Sequence, residues 1–419
     1  MDGNLKLSKL DIDIETQDSL DLFYAGIKAE QTKTTMDRLL RKFLLEACED
    51  ILHGTYRQRS EEFVNLAREK PIEATNIIIA YVKQLRKRTQ LPKDDKNYMN
   101  PSYLPNKIKP IKKLVVMNDV QLPWHRIRSY YPEQDNTHKG RGYTREEIQR
   151  LLEYSDSIDT DFILLASSSG GLRVGAWANQ VWGNIFPIYK VGEDYKIELE
   201  GSEKLAAKIV CAAMTIYKGT KEEYIALISI EAWNKLEEYK NLWQKKIGHE
   251  PYVNDPLLLA RFSNPTALTY IGVKSRLEKL VKKAGLRDPK NLGVGVRRHE
   301  IPVTHGFRRY WDKVMMQTKR NKGTLSALVS KERLFGHTGI VKTDKNYYWT
   351  DILELVPEYL EAMPELMIND EARLQNKLES TLNENQILAR ANQERKVALE
   401  KLAELEAKVN RMQIYQKII

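Results

Sequence analysis

Between Ser19 and Val82 apolar residues recur every three or four positions. Phe23, Ile27, Met36, Leu40, Phe43 and Leu44 form one series, and Ile77, Ile78, Ala80, Tyr81 and Leu85 continue it later. That period predicts amphipathic helices. Thr32, Thr34 and Thr35 stand just before the Met36 run, where hydroxyls are expected to cap a helix start. Residues 1–17 lack the pattern and are expected to be a mobile tail. The proline-punctuated, Lys/Arg-rich stretch KQLRKRTQLPKDDKNYMNPSYLPNKIKPIKK predicts a basic loop, over about 83–113, leading into a further short helix. LPWHRIRSYYPEQDNTHKGRG has few aliphatic residues and a glycine pair, which predicts an interdomain linker.

The pattern changes at Tyr143. Thr144 followed by Glu147 in TREEIQRLLEYSD is a capping box opening an amphipathic helix. DTDFILLASSSGGLRVGAWANQVW predicts a second helix. Two β-rich runs follow, DYKIELE and AAMTIYKGTKEEYIALISI, and the break at KGTKEE predicts a hairpin turn with Gly219 available for positive φ. Residues 231–365 return to helical spacing. From Glu371 to Met412 the chain has neither Pro nor Gly. Leu374, Leu378 and Leu382 begin an apolar stripe there, and Ala398, Leu402, Leu405, Val409 and Met412 continue it in 4-3-4-3 steps. This predicts a long amphipathic helix suited to a coiled coil.

The expected architecture is therefore mainly α with a small antiparallel β-sheet. A flexible tail (1–17) precedes a helical domain (18–130) and a linker (131–142). A larger domain carrying the sheet (143–365) and a C-terminal amphipathic helix (366–419) follow.

Charge changes the picture modestly. In 419 residues, 67 Lys+Arg oppose 57 Asp+Glu, so the net charge is 67 − 57 = +10, with a pI near 9.2. That surplus favours a polyanionic partner. Cys48 and Cys211 cannot make a disulfide framework, and no CxxC pair offers a structural zinc site. The polar start lacks the pattern of a secretory signal, and no apolar run approaches the ~20 residues of a bilayer span. A reduced, cytoplasmic, membrane-free protein is the expectation.

Four segments carry candidate chemistry: SSSGGLRVGAW with Arg173, YKGTKEEY with Lys221, PVTHGFRRYW with His305 and Arg308, and LFGHTGIVKTDKNYYW with His337, Tyr347 and Tyr348. Singly, each residue fits a solvated or capping role; His305 and Arg308 are simply neighbours on one helical face. In this order they fit metal-free phosphodiester chemistry. Two guanidiniums can fork onto the non-bridging oxygens. A tyrosine can act as nucleophile and hold a reversible ester. A lysine can protonate the leaving oxygen, and the histidines can orient groups or accept a proton. GHTGIVKT lacks the glycine that a phosphate loop needs directly before its lysine, because Val341 stands there, which sets an ATPase aside.

These segments resemble the tyrosine recombinase (phage integrase) family, over roughly residues 140–365 and more loosely in the N-terminal helical domain, which is similar to that family's core-binding domain. The Tyr-Tyr pair and its downstream segment resemble archaeal and plasmid-type integrases. The resemblance implies a catalytic set of Arg173, Lys221 (with Lys218 as fallback), His305, Arg308, His337 and Tyr348, with Tyr347 as the alternative nucleophile. It implies site-specific cleavage and rejoining of double-stranded DNA through a 3′-phosphotyrosyl ester, without metal, ATP or other cofactor. It further implies two domains clamping DNA, a homotetramer in the synaptic complex passing through a Holliday junction, integration or excision of a mobile element, and a nucleoid-associated, cytoplasmic location.

The chain departs from the family pattern in three respects. Ala176 stands where many relatives carry an acid. Tyr347 and Tyr348 lie ten and eleven residues after His337, further than the family's usual spacing. The long terminal helix lies outside the general pattern. Two alternatives remain at this point: a type IB topoisomerase-like enzyme relaxing DNA with the same residues, and a non-catalytic DNA-binding regulator on the same fold.

Overall fold

The computed structural model describes residues 18–93, 95–133, 140–197, 207–263, 265–287, 299–318, 331–332, 334–336 and 352–416. The chain divides into two compact units, one of residues 1–139 with 290–297 and the other of 140–289 with 298–419. It is mainly helical, with a small antiparallel sheet in the second unit.

The first unit begins with α1 (Ser19–Ala25), capped by Asp18, whose carboxylate accepts from the Leu20 N–H at 2.8 Å. Helix α2 (Glu30–Arg41) starts at Ala29, ahead of the threonines. The hydroxyls of Thr34 and Thr35 turn back onto the carbonyls of Glu30 and Gln31. A short hydroxyl inside a helix can bond one turn back as readily as it can cap, which corrects the expected cap. The helix widens into a π turn at Lys42–Ala47.

Thr55 and Gln58 form a full capping box on α3 (Tyr56–Glu69). Pro71, at the position where its missing N–H costs nothing, opens α4 (Pro71–Thr89). Together with α5 (Leu104–Met117), α4 absorbs most of the expected basic loop into helix ends. The short α6 (Trp124–Arg128) buries Ile127 fully in this unit's core, so the segment read as linker is packed structure at its start. Phe23, Leu40, Phe43, Phe63, Ile78 and Leu114 lie in that core, with the Phe43 and Phe63 rings edge-on at 5.2 Å.

In the second unit, α7 (Arg145–Glu153) carries the expected capping box. The Thr144 N–H donates to Glu147 Oε2 at 2.8 Å, and the Glu147 N–H donates to Thr144 Oγ1 at 3.2 Å. Helix α8 (Ile158–Gly170) is buried along most of its length and stops at Gly171, whose φ of 59° is left-handed. A Cβ at residue 171 would meet the Trp311 ring at 2.9 Å. The helix expected to run on to Trp182 is therefore broken here, and a 3-10 turn at Val174–Trp177 follows, with another at Trp182–Asn184.

The sheet comprises β1 (Ile185–Val191), β2 (Asp194–Ile197), β3 (Lys208–Ile216) and β4 (Tyr224–Ser229), in the order β2-β1-β3-β4, with every pairing antiparallel. Strand β1 went unpredicted because IFPIYKV is a short apolar run without alternation, which spacing alone does not resolve.

After the sheet in chain order come α9 (Ile230–Ile247), α10 (Tyr270–Lys283), α11 (His305–Gln317) and α12 (Ile352–Leu366). Residues 248–263 and 265–269, expected to be helical, form turns and bends instead, with isolated bridges Val181–Pro256 and Leu259–Ala267. Gly248, Pro251 and Pro256 explain the interruption. The last helix, α13 (Asp370–Gln416), has 47 residues, about 70 Å at 1.5 Å per residue. Its start is pinned by burial of Leu366, Met367 and Ile368. The Glu231 carboxylate also accepts from the N–H groups of Ile368 and Asn369, each at 2.8 Å. Farther on, Leu388, Leu399, Leu402 and Leu405 are all exposed. Among the described residues, no helix is long and apolar enough to cross a membrane.

Candidate active site

Three side chains anticipated from the sequence meet in the second unit. The break after α8 delivers Arg173, half-buried in extended backbone (φ −75°, ψ 153°), to the head of the 3-10 turn. One turn into α11 sits Arg308, only 6% exposed. Its Nη1 donates to the Gly171 carbonyl at 2.7 Å and its Nη2 to the Phe335 carbonyl at 2.6 Å. The guanidinium lies 3.5 Å from the Phe335 ring centroid, a cation–π contact strengthened by burial. Arg308 thus ties the Gly-Gly break to the Phe335–Gly336 segment.

Burial pushes the Arg308 pKa down to about 10, and the charge of Arg173 adds to the effect; the phenols of Tyr224 and Tyr217 oppose it. An arginine gives up so much only where charge is desolvated beside charge of the same sign. His305, at the start of α11, is held below the ordinary histidine range. Burial is the first cause, followed by the charges of Arg308, Arg309 and Arg173. The three groups therefore share one electropositive field.

The hairpin joining β3 to β4 borders this field. Tyr217 leaves β3 in the left-handed region at φ 55°, and Gly219 follows at φ 75°. The Thr220 N–H donates to the Tyr217 carbonyl at 3.0 Å, and the Gly219 N–H donates to Glu223 Oε2 at 2.6 Å. Lys221 and Lys218 both stand exposed on the loop. At its base the Tyr217 and Tyr224 rings lie 6.2 Å apart. A Cβ at Gly175 would come within 2.8 Å of Tyr217 Oη, and one at Gly336, where φ is 65°, within 2.5 Å of the Tyr224 ring. Ala176 is fully buried.

The structure thus gathers Arg173, His305 and Arg308, and sets Lys221 at the exposed tip of the adjoining hairpin. His337, Tyr347 and Tyr348 lie outside the described residues. Tyr217, Tyr224 and Phe335 were missed by sequence reasoning. The only available signal was the pair of tyrosines bracketing KGTKEE, which reads equally well as ordinary strand aromatics.

A second basic cluster belongs to the first unit. Lys107 is partly buried, and its pKa is lowered first by burial and then by Lys42, Arg88 and Arg38. Its Nζ sits 5.5 Å from the Tyr103 ring centroid. Cations from α2, the π turn, α4 and α5 thereby share one neighbourhood, which suits contact with a phosphate backbone.

No protein-family model matches the chain, and no curated protein matches it. Solved structures do. The crystal structure of XerA recombinase is 16% identical with a TM-score of 0.32, covering 82% of this chain and 97% of its own. The Tn1549 transposon integrase in complex with a circular intermediate DNA is 12% identical with a TM-score of 0.44, covering 83% and 99%. The XerH site-specific recombinase bound to its difH substrate is 14% identical with a TM-score of 0.35, covering 78% and 95%.

Proposed function

We propose that this chain is a site-specific DNA recombinase or integrase that cuts and rejoins strands through a covalent tyrosyl intermediate. The observation that carries the reading is the pairing of a buried arginine with a second arginine and a histidine around one electropositive field. Its mutual repulsion is relieved by an anion with several oxygens. A backbone phosphodiester fits that description.

In this reading Arg173 and Arg308 bind the non-bridging oxygens and stabilise the charge that develops on them. The phenol of Tyr348, or of Tyr347, loses its proton and attacks phosphorus. The P–O bond to the 5′-oxygen breaks, and Lys221 supplies the proton that oxygen takes up. The products are a 3′-phosphotyrosyl ester and a free 5′-hydroxyl. The ester retains the bond energy, so a 5′-hydroxyl from a partner duplex reverses the step. His305 and His337 orient the phosphate or take the tyrosine proton. The residue assignments, the tetramer, the Holliday junction and the role in moving a mobile element all belong to this proposal. So do the basic cluster around Lys107 as a phosphate contact and the nucleoid location.

Mass spectrometry of DNA–protein adducts formed on nicked or half-site DNA tests it. The expected product is an SDS-stable adduct whose DNA-bearing peptide contains Tyr348. Complete absence of adduct, with binding retained, would instead mark a DNA-binding protein without strand-cleaving activity.

A further inference from the structure

We propose that Tyr217 is a further phosphate-binding residue of the Arg173–Arg308 site, its phenol donating a hydrogen bond to an oxygen of the bound anion. The inference rests on the phosphodiester reading and adds to it a contact that none of the sequence motifs contains.

Three independent features place the hydroxyl there. First, Tyr217 adopts φ 55°, a conformation that is a genuine outlier for a bulky residue and that proteins retain mainly at functional sites. Gly219, two residues on, is also at positive φ (75°), which costs a glycine little; Tyr217 holds the same kind of conformation without that freedom. Second, Tyr217 Oη occupies the space above Gly175, where a Cβ would come within 2.8 Å of it. Gly175 belongs to the 3-10 turn whose first flanking residue is Arg173, so the phenol tip lies against the turn that Arg173 opens. Third, Arg173 and Arg308 both act on the phenol electrostatically, from different elements of the fold.

The protonation state fits a donor. Burial raises the Tyr217 pKa, and Glu222 adds to that, against the opposing pull of Arg173 and Arg308. A phenol kept neutral beside two guanidiniums offers an O–H to an anion that those guanidiniums already attract. Pure packing would be met as well by phenylalanine, so the hydroxyl is the group to test. Tyr224 plays a different part: its ring lies against Gly336 and its charge interaction is chiefly with Arg308.

The test uses the full chain labelled with 13Cζ-tyrosine and titrated with inorganic phosphate at constant ionic strength. Phosphate should shift one tyrosine signal that Tyr217→Phe removes. The variant should bind phosphate about tenfold more weakly, the loss expected for one hydrogen bond to a charged group, while its urea midpoint stays that of the wild type. Unchanged phosphate affinity in the variant overturns the proposal, as does failure of the wild type to bind phosphate or a weakening that simply tracks lost stability. Covalent DNA adduct formation separates this from the underlying reading. Wild-type adduct formed at the same rate by Tyr217→Phe overturns the Tyr217 assignment alone. Phosphate binding lost in the variant, with no adduct from the wild type on any DNA, overturns the recombinase reading and leaves Tyr217 an anion ligand.

Discussion

Replacing Arg308 by glutamine sets two opposed quantities against each other. Holding the guanidinium at about 10 instead of 12.5 corresponds to about 3 kcal/mol against the charged, anion-free site. On the other side stand two charge-assisted hydrogen bonds, to the carbonyls of Gly171 and Phe335, worth about 1.5–3 kcal/mol each, and the contact with Phe335, worth about 1–2 kcal/mol. A glutamine amide can retain one of the two hydrogen bonds. Losing the other and the ring contact, while removing the buried charge, should leave stability within about 2 kcal/mol of the wild type.

Anion binding should behave differently, because it depends on the charge itself. Inorganic phosphate at ten times its dissociation constant should stabilise the wild type by about 1.4 kcal/mol and the Arg308→Gln variant not at all. Urea unfolding with and without phosphate, at matched ionic strength, measures both quantities. Destabilisation of the variant by more than about 4 kcal/mol would identify Arg308 as a structural keystone. Equal stabilisation of both proteins by phosphate would refute the anion site.

The folded His305 pKa lies below its usual 6.5, so the unfolded chain takes up that proton first. Stability is then full above pH 6.5 and falls as pH drops from 6.5 through the lower folded value; His305→Gln should flatten that slope in pH-dependent urea midpoints. At Gly336, φ 65° and the Tyr224 ring at 2.5 Å leave no room for a side chain. Gly336→Ala should cost about 2–4 kcal/mol in urea unfolding, and a neutral result would contradict the close packing of Tyr224. Deleting 371–419 keeps Leu366, Met367 and Ile368 in the core and should leave the unfolding midpoint nearly unchanged while weakening assembly in sedimentation. Deleting from 366 should remove about 5–8 kcal/mol by unburying those three side chains. Unchanged assembly after the shorter deletion would show that the exposed leucines of α13 do not pair protomers.

Local pattern made several features legible. The capping box of Thr144 and Glu147, the hairpin with Gly219 at positive φ and the 47-residue α13 each depend on residues a few positions apart. Their physical causes, a hydroxyl reaching a nearby N–H and apolar groups repeating at the helical period, are contained in short stretches of chain. Arg173, His305 and Arg308 could be singled out as candidates from the order of their segments along the chain.

Tertiary structure decided what those side chains experience. At Gly171 the left-handed backbone ends α8, and Trp311, 140 residues onward, fills the space a Cβ there would need. Arg308 reaches a carbonyl 137 residues earlier in the chain and another 27 residues later. Tyr217 acquires its place above Gly175 only when β3 and the 3-10 turn come together. Helix caps and apolar periods act over neighbouring residues, whereas desolvation, charge repulsion and hydrogen bonds such as those of Arg308 depend on which distant segments are packed together, so the electropositive field around Arg308 exists only in the fold.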